Sequence, residues 1–266
     1  MNFSFNGPGL RDLLNGLKNL GLSVYLARSD IKRRYRRSTL GPFWITLSTA
    51  IMIGCIGLIF GNLFKSDISE FLPFIAAGLI TWTFISTVIN ESSSVFPMAE
   101  SVIRQLPLPL FTHVERMIFK NLFIFFHNII IFPVVCVIVH HQISLKILFV
   151  IPGLLILILN LCWLSLLIGI ICTRFRDMAQ IISSLLQIAF YVTPIIWMPS
   201  LLIKKNRVMF LDFNPFYHLL ELVRAPLLNT MPSPQNCLSS LGLLFIGWTF
   251  TLLVYNRYKN SIAYWL

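Results

Sequence analysis

Six apolar stretches, each about as long as a bilayer is thick and nearly free of charge, take up most of this chain. A hydrocarbon core of about 30 Å requires roughly 20 residues of helix at about 1.5 Å per residue. The stretches cover about residues 43–64, 71–90, 117–139, 147–172, 181–198 and 238–256. In lipid every backbone N–H and C=O must be satisfied inside the protein, so only helices or a closed barrel can span. Runs such as ILFVIPGLLILILNLCWLSLLIGIIC lack the alternation of barrel strands. The sequence therefore predicts an all-α, polytopic membrane protein with six transmembrane helices.

Hydrophobic residues make up 56% of the 266 and charged residues 12%, with a mean hydropathy of +0.79. A soluble domain of this size would have too little polar surface to stay in water. Two parts follow: an N-terminal segment over 1–42 and a membrane domain over 43–266. Within the first, Leu10, Leu13, Leu14, Leu17 and Leu20 recur at helical spacing with polar residues between them. That pattern predicts an amphipathic helix lying at the membrane interface or packed on a partner. No cleavable signal peptide is visible, since the first residues contain no basic-then-apolar order.

Charge sets the expected orientation. Of 21 Lys and Arg, all but Lys65, Lys146, Lys204, Lys205, Arg207 and Arg224 fall on the side that carries both termini. The positive-inside rule makes that side cytoplasmic. The net charge of +11 follows the membrane pattern and does not point to nucleic acid. The cluster Lys204, Lys205 and Arg207 is left outside, as a solvated loop or as a patch meeting an anionic ligand or headgroup.

Catalytic patterns are missing. No GxSxG elbow, paired carboxylates, HExxH or GxGxxG motif occurs, and the five Cys are scattered without a CxxC pair. Glu91 alone among the acidic residues approaches an embedded position, which argues against an ion-coupled carrier. A phosphate-cradling GxxxxGK(S/T) loop is also missing, so energy for uphill movement would come from another chain. The chain is expected to hold no cofactor or metal and to catalyse no bond change.

Four segments carry a family resemblance. DIKRRYRRSTLGPFW (30–44) resembles the approach to the first span of ABC type-2 permeases that export polysaccharides. TRFRD (173–177) looks like that family's inner loop between spans four and five, and NPFYHLLELVR (214–224) resembles its NP-x5-E-x-x-R pattern. The ending IAYWL is most similar to permeases for lipopolysaccharide O-antigen. The resemblance implies a homodimer in the bacterial inner membrane, with two copies of a separate ATPase subunit that bind ATP and Mg. It also implies a lipid-linked polysaccharide as substrate. Motif and topology do not separate O-antigen from capsule or teichoic-acid export.

The resemblance also assigns roles. The loop 92–116 would hold a coupling helix at 98–105, started by Pro97 and ended by the prolines at 107 and 109. Met98, Glu100 and Arg104 there, with Arg174 and Asp177, become candidates for contact with the ATPase. The basic run, with Arg33, Arg34, Arg36 and Arg37, serves either to anchor the first span or to meet lipid headgroups and substrate phosphate. Phe60, Phe64, Phe190, Tyr191 and Trp197 are candidates for stacking on sugar rings along the path, or are membrane-packing aromatics. The segment 199–236 is expected to form short re-entrant helices closing the outer exit, with Asn214, Pro215, Glu221 and Arg224 as gate residues.

Overall fold

Prolines and short polar side chains set most of the helix starts. The computed structural model describes residues 7–36, 43–64, 67–199 and 211–266, which form helices and connections with no β-strand among them. α1 (Pro8–Lys18) begins on a proline, whose missing N–H would have had no partner there anyway, and α2 (Leu20–Arg34) follows a break at Asn19. α3 (Phe43–Phe64) precedes α4 (Ile68–Ser92), which is capped by the Asp67 carboxylate accepting from the Ser69 N–H at 2.9 Å. A 3-10 turn (Pro97–Ala99) runs into the short α5 (Glu100–Gln105). α6 (Leu110–Asn128) and α7 (Ile131–Ile138) are nearly continuous, and a second 3-10 turn (Leu145–Phe149) leads into α8 (Val150–Arg174). α9 (Met178–Val192), α10 (Pro215–Leu227) and α11 (Pro234–Trp265) complete the chain, the last two capped by the side chains of Asn214 and Ser233.

Among the described residues, five helical segments are long and apolar enough to cross a membrane: Phe43–Gly61, Ile68–Ser92, Leu110–Ile138, Leu145–Arg174 and Pro234–Trp265. The stretch read at 181–198 is corrected: its helix is the 15-residue α9, which stops at Val192. Pro194 supplies the reason. It forces Thr193 into extended backbone (φ −84°, ψ 134°), and the apolar residues beyond it run on without α-helix. The third stretch is corrected at its start, since α6 begins at Leu110 and shortens the loop read at 92–116. Likewise the last helix reaches Trp265 rather than 256, and the N-terminal amphipathic helix is α1, which a second helix, α2, follows. The leucine stripe divides as well: Leu13 is buried while Leu14, Leu17 and Leu20 stay exposed.

α4 is the centre of the bundle, packing against α3, α6, α8, α9 and α10. Its middle is buried on every side, with Ile75, Ala76, Ile80, Ile85 and Val88 at most 1% exposed. α8 pairs most extensively with α11 and also receives α10. Two glycines permit these approaches, since a Cβ on Gly153 would lie 2.1 Å from the Leu222 carbonyl oxygen and one on Gly247 2.1 Å from the Trp163 ring. α3 and α9 are peripheral. Ile51, Leu58, Ile59 and Leu63 on α3 and Leu185, Ile188 and Tyr191 on α9 expose more than half of their surface, as suits lipid or another protein.

Candidate functional site

Polar side chains gather at the two ends of the bundle. The end that carries α1, α2 and α5 is built on α6. Asp12 of α1, 5% exposed, accepts from the Tyr255 Oη at 2.6 Å and the Phe111 N–H at 3.1 Å, and pairs with Lys259 Nζ at 3.0 Å. One turn into α2, the Ser23 hydroxyl donates to Glu115 at 2.7 Å. Asp30 holds Arg116 bidentately, Nε and Nη2 each at 2.6 Å. Burial alone would raise the Asp30 pKa, but the hydrogen bonds and charge of Arg116, helped by Arg33, hold it below its ordinary 3.8. Beside this pair, Glu91 at the end of α4 accepts from Lys120 at 2.8 Å and Asn121 at 2.6 Å. The two N-terminal helices are thus fastened to α6 and α11 by ion pairs that hydropathy alone does not show.

The candidate coupling residues lie at this same end. Met98 is 83% exposed, and Glu100 and Arg104 form an exposed one-turn pair at 2.9 Å on α5. Behind them a cavity of about 330 Å³ is bordered by Pro97, Glu100, Thr173, Arg176 and Trp265. Arg174 is exposed and places its guanidinium 5.4 Å from the Trp265 ring centroid. Asp177 is exposed and precedes α9 without capping it. The structure therefore brings the loop 173–177 and the end of α11 against the segment that begins at Pro97.

The basic run is partly described. Arg33 bonds Asp30 at 3.0 Å, Arg34 lies over the Tyr35 ring at 5.9 Å, and Arg36 is exposed. Arg37 lies outside the described residues, as do Lys204, Lys205 and Arg207.

At the opposite end Arg224 of α10 is fully buried. Its guanidinium donates to Glu221 through Nε at 3.1 Å and through Nη2, donates to the Pro194 carbonyl, and lies 4.3 Å from the Phe74 ring centroid. The local reason is visible in the sequence. Pro194 stops α9, the chain runs on without α-helix, and a cation from the next helix takes up the Pro194 carbonyl. Gly78 makes the room, since a Cβ there would meet the Ile195 carbonyl at 3.3 Å and Arg224 Nη1 at 3.6 Å. Asn214 caps α10 and donates to the Thr193 hydroxyl at 3.0 Å, while Pro215 occupies the first helical position. Asn214, Glu221 and Arg224 thus meet the end of α9 in one polar knot. Most of 199–213 lies outside the described residues.

The aromatic candidates fall into two groups. Phe190 packs on Trp82 with centroids 6.0 Å apart and on Tyr191 at 5.3 Å, and the Trp197 indole donates to the Tyr191 carbonyl at 3.2 Å. Phe60 belongs to α3, which packs chiefly on α4 and α6; the Phe64 side chain is outside the described residues. Sequence reasoning missed Gly78, Trp82, Asp12 and the Asp30–Arg116 pair. Pro194 was the available signal for the end of α9 alone.

Comparison with known proteins adds two findings. The chain is 25% identical over 207 residues to the O-antigen export system permease protein RfbA of Myxococcus xanthus, a match covering 77% of this chain and 79% of that protein. The model of the ABC-2 type transporter family matches residues 22–228, from α2 through the end of α10, and on that match the chain belongs to the ABC-2 type transporter family.

Proposed function

We propose that this chain is the membrane-spanning subunit of an ATP-driven exporter that carries a lipid-linked polysaccharide of the O-antigen class across the bacterial inner membrane. The observation that carries the ATP-driven part is α5: a short helix on a proline-bounded turn, with Met98, Glu100 and Arg104 facing out at the end of the bundle. Such a projection suits docking into a separate ATPase, which would bind ATP and Mg. The substrate class rests on the Myxococcus relative. Two copies of this chain pair with two ATPase subunits in this reading, and both termini are cytoplasmic. α9 with the residues after it supplies the fifth of six crossings, because Arg174 lies beside Trp265 whereas α10 packs on the 3-10 turn at Leu145–Phe149. α10 is then a re-entrant helix at the outer exit, and Arg224 with Glu221 holds the gate.

The test is genetic and chemical together. Deletion of this gene should leave lipid-linked glycan on the cytoplasmic face and strip the polymer from the cell surface, and re-expression with its ATPase should restore export. Surface polymer unchanged by the deletion would reject the assignment.

A further inference from the structure

A cavity of about 420 Å³ opens between the end of α2, the end of α4 and the start of α6, lined by Asp30, Arg34, Glu91, His113, Arg116 and Lys120. Its charges do not cancel. The two carboxylates face three cations in the lining, and Arg33, already on Asp30, adds a fourth at the rim. Arg34 has no carboxylate partner among the described residues, and the bidentate bond of Arg116 to Asp30 uses Nε and Nη2, leaving Nη1. His113 is the telling group. It is 3% exposed, yet neither ring nitrogen has a hydrogen-bond partner among the described residues. A buried imidazole left unpaired costs stability, so such a group calls for a ligand or a function.

We infer that this cavity binds a phosphate ester, with His113 and Arg34 as the ligating side chains and Arg116 and Lys120 supplying positive field. Phosphate oxygens accept several hydrogen bonds at once, and arginine offers planar paired donors for them. The remaining wall is apolar, formed in part by Met98 and Met117. A charged head and a hydrocarbon neighbour suit an amphiphile. Met98 also places the cavity directly against the segment proposed to dock the ATPase, so an occupied pocket touches the coupling element. Naming the ligand as the diphosphate of a lipid-linked glycan rests on the function proposed above; the phosphate chemistry does not.

The experiment uses the full-length protein in phosphatidylcholine nanodiscs, with farnesyl diphosphate and inorganic pyrophosphate as probes. Arg34→Gln and His113→Leu are compared with wild type and with Lys146→Gln, a basic residue at the other end. Farnesyl diphosphate should bind wild type and Lys146→Gln alike and lose at least about tenfold in affinity in the other two variants, the order expected for one charge-assisted contact. Binding of farnesyl diphosphate without pyrophosphate identifies a membrane-borne headgroup, whereas equal binding of both identifies a site for free phosphate. His113→Leu removes an unpaired polar group, so its melting temperature should match or exceed that of wild type while binding is lost. Unchanged affinity in both variants overturns the proposal. No ATPase or glycan is present in this assay, so failure of the pocket and failure of the export assignment are read separately.

Discussion

The Asp12 carboxylate and the Tyr255 hydroxyl, 243 positions apart, meet at 2.6 Å in a site where Asp12 is 5% and Tyr255 0% exposed. Lys259 and the Phe111 N–H complete the coordination of the carboxylate. The first helix of the chain is thereby bonded to the last and to α6.

Breaking that site has graded consequences. Tyr255→Phe removes one donor and should cost about 1 kcal/mol, while Asp12→Ala leaves a tyrosine, a lysine and an amide without their acceptor and should cost about 3 kcal/mol. Thermal unfolding of the purified protein in detergent measures both. Equal and negligible losses would mean that α1 is held by its apolar contacts alone.

This site explains where sequence reading reached and where it stopped. Continuous apolar runs located α3, α4, α8 and α11, because lipid-facing and core-facing residues there are both hydrophobic. The start of α6 was hidden, because Thr112, His113, Glu115 and Arg116 look like loop residues until Ser23 and Asp30 of α2 are seen to pair with Glu115 and Arg116. A partner distant in sequence leaves no local signature. The end of α9 was legible in principle: Pro194 disfavours helix at Thr193 as surely as Pro107 ends the helix before it, but hydropathy carried the span past it. The Glu221–Arg224 pair was readable from spacing alone, whereas the Pro194 carbonyl as the third partner required the fold.

Acid should unfasten α2. The Asp30 pKa in the folded protein lies below its ordinary 3.8, so the folded state favours the carboxylate. Its contribution is complete above that value and disappears as pH falls through the folded pKa. The stability difference between wild type and Asp30→Asn should therefore be constant from pH 7 to 5 and shrink below pH 4. A difference that grows on acidification would contradict the pairing with Arg116.

The buried pair on α10 should respond asymmetrically. Glu221→Gln or Arg224→Met alone leaves one partner without its counter-charge in the interior, and each should destabilise by about 3–5 kcal/mol. Removing both charges together should recover part of that loss, though the Pro194 carbonyl remains without its donor. A double-mutant cycle on unfolding free energy reads the coupling directly. Strict additivity would show that the two charges act independently.

Two glycines on α11 provide an internal contrast. Gly247→Ala pushes a methyl into the Trp163 ring, 2.1 Å from its Cε2, and that ring is held by its indole N–H on Asn160 at 3.1 Å. The substitution should cost about 1–3 kcal/mol through overpacking. Gly242→Ala meets nothing within 4 Å among the described residues and should stabilise by about 0.5–1 kcal/mol through helix propensity. Thermal unfolding of the two single variants decides it; a shift of the same sign in both would remove the packing explanation.

The exposed pair on α5 separates folding from coupling. With 44% of the Glu100 side chain and 56% of the Arg104 side chain open to solvent, their 2.9 Å contact contributes about 0–1 kcal/mol, so neither residue is needed for the fold. Glu100→Arg and Arg104→Glu each break the pair and reverse one outward charge, while the double swap rebuilds the pair with its ends exchanged. If α5 docks into an ATPase through these charges, all three variants should keep an unfolding free energy within about 1 kcal/mol of wild type, the range of an exposed ion pair. Transport-linked ATP hydrolysis in the reconstituted complex should fall in all three, because the charge pattern offered across an interface sets recognition. Full coupling in the double swap with loss in the single variants would instead show that α5 needs only its internal ion pair, and the docking contact would have to be sought at Met98 and Arg174.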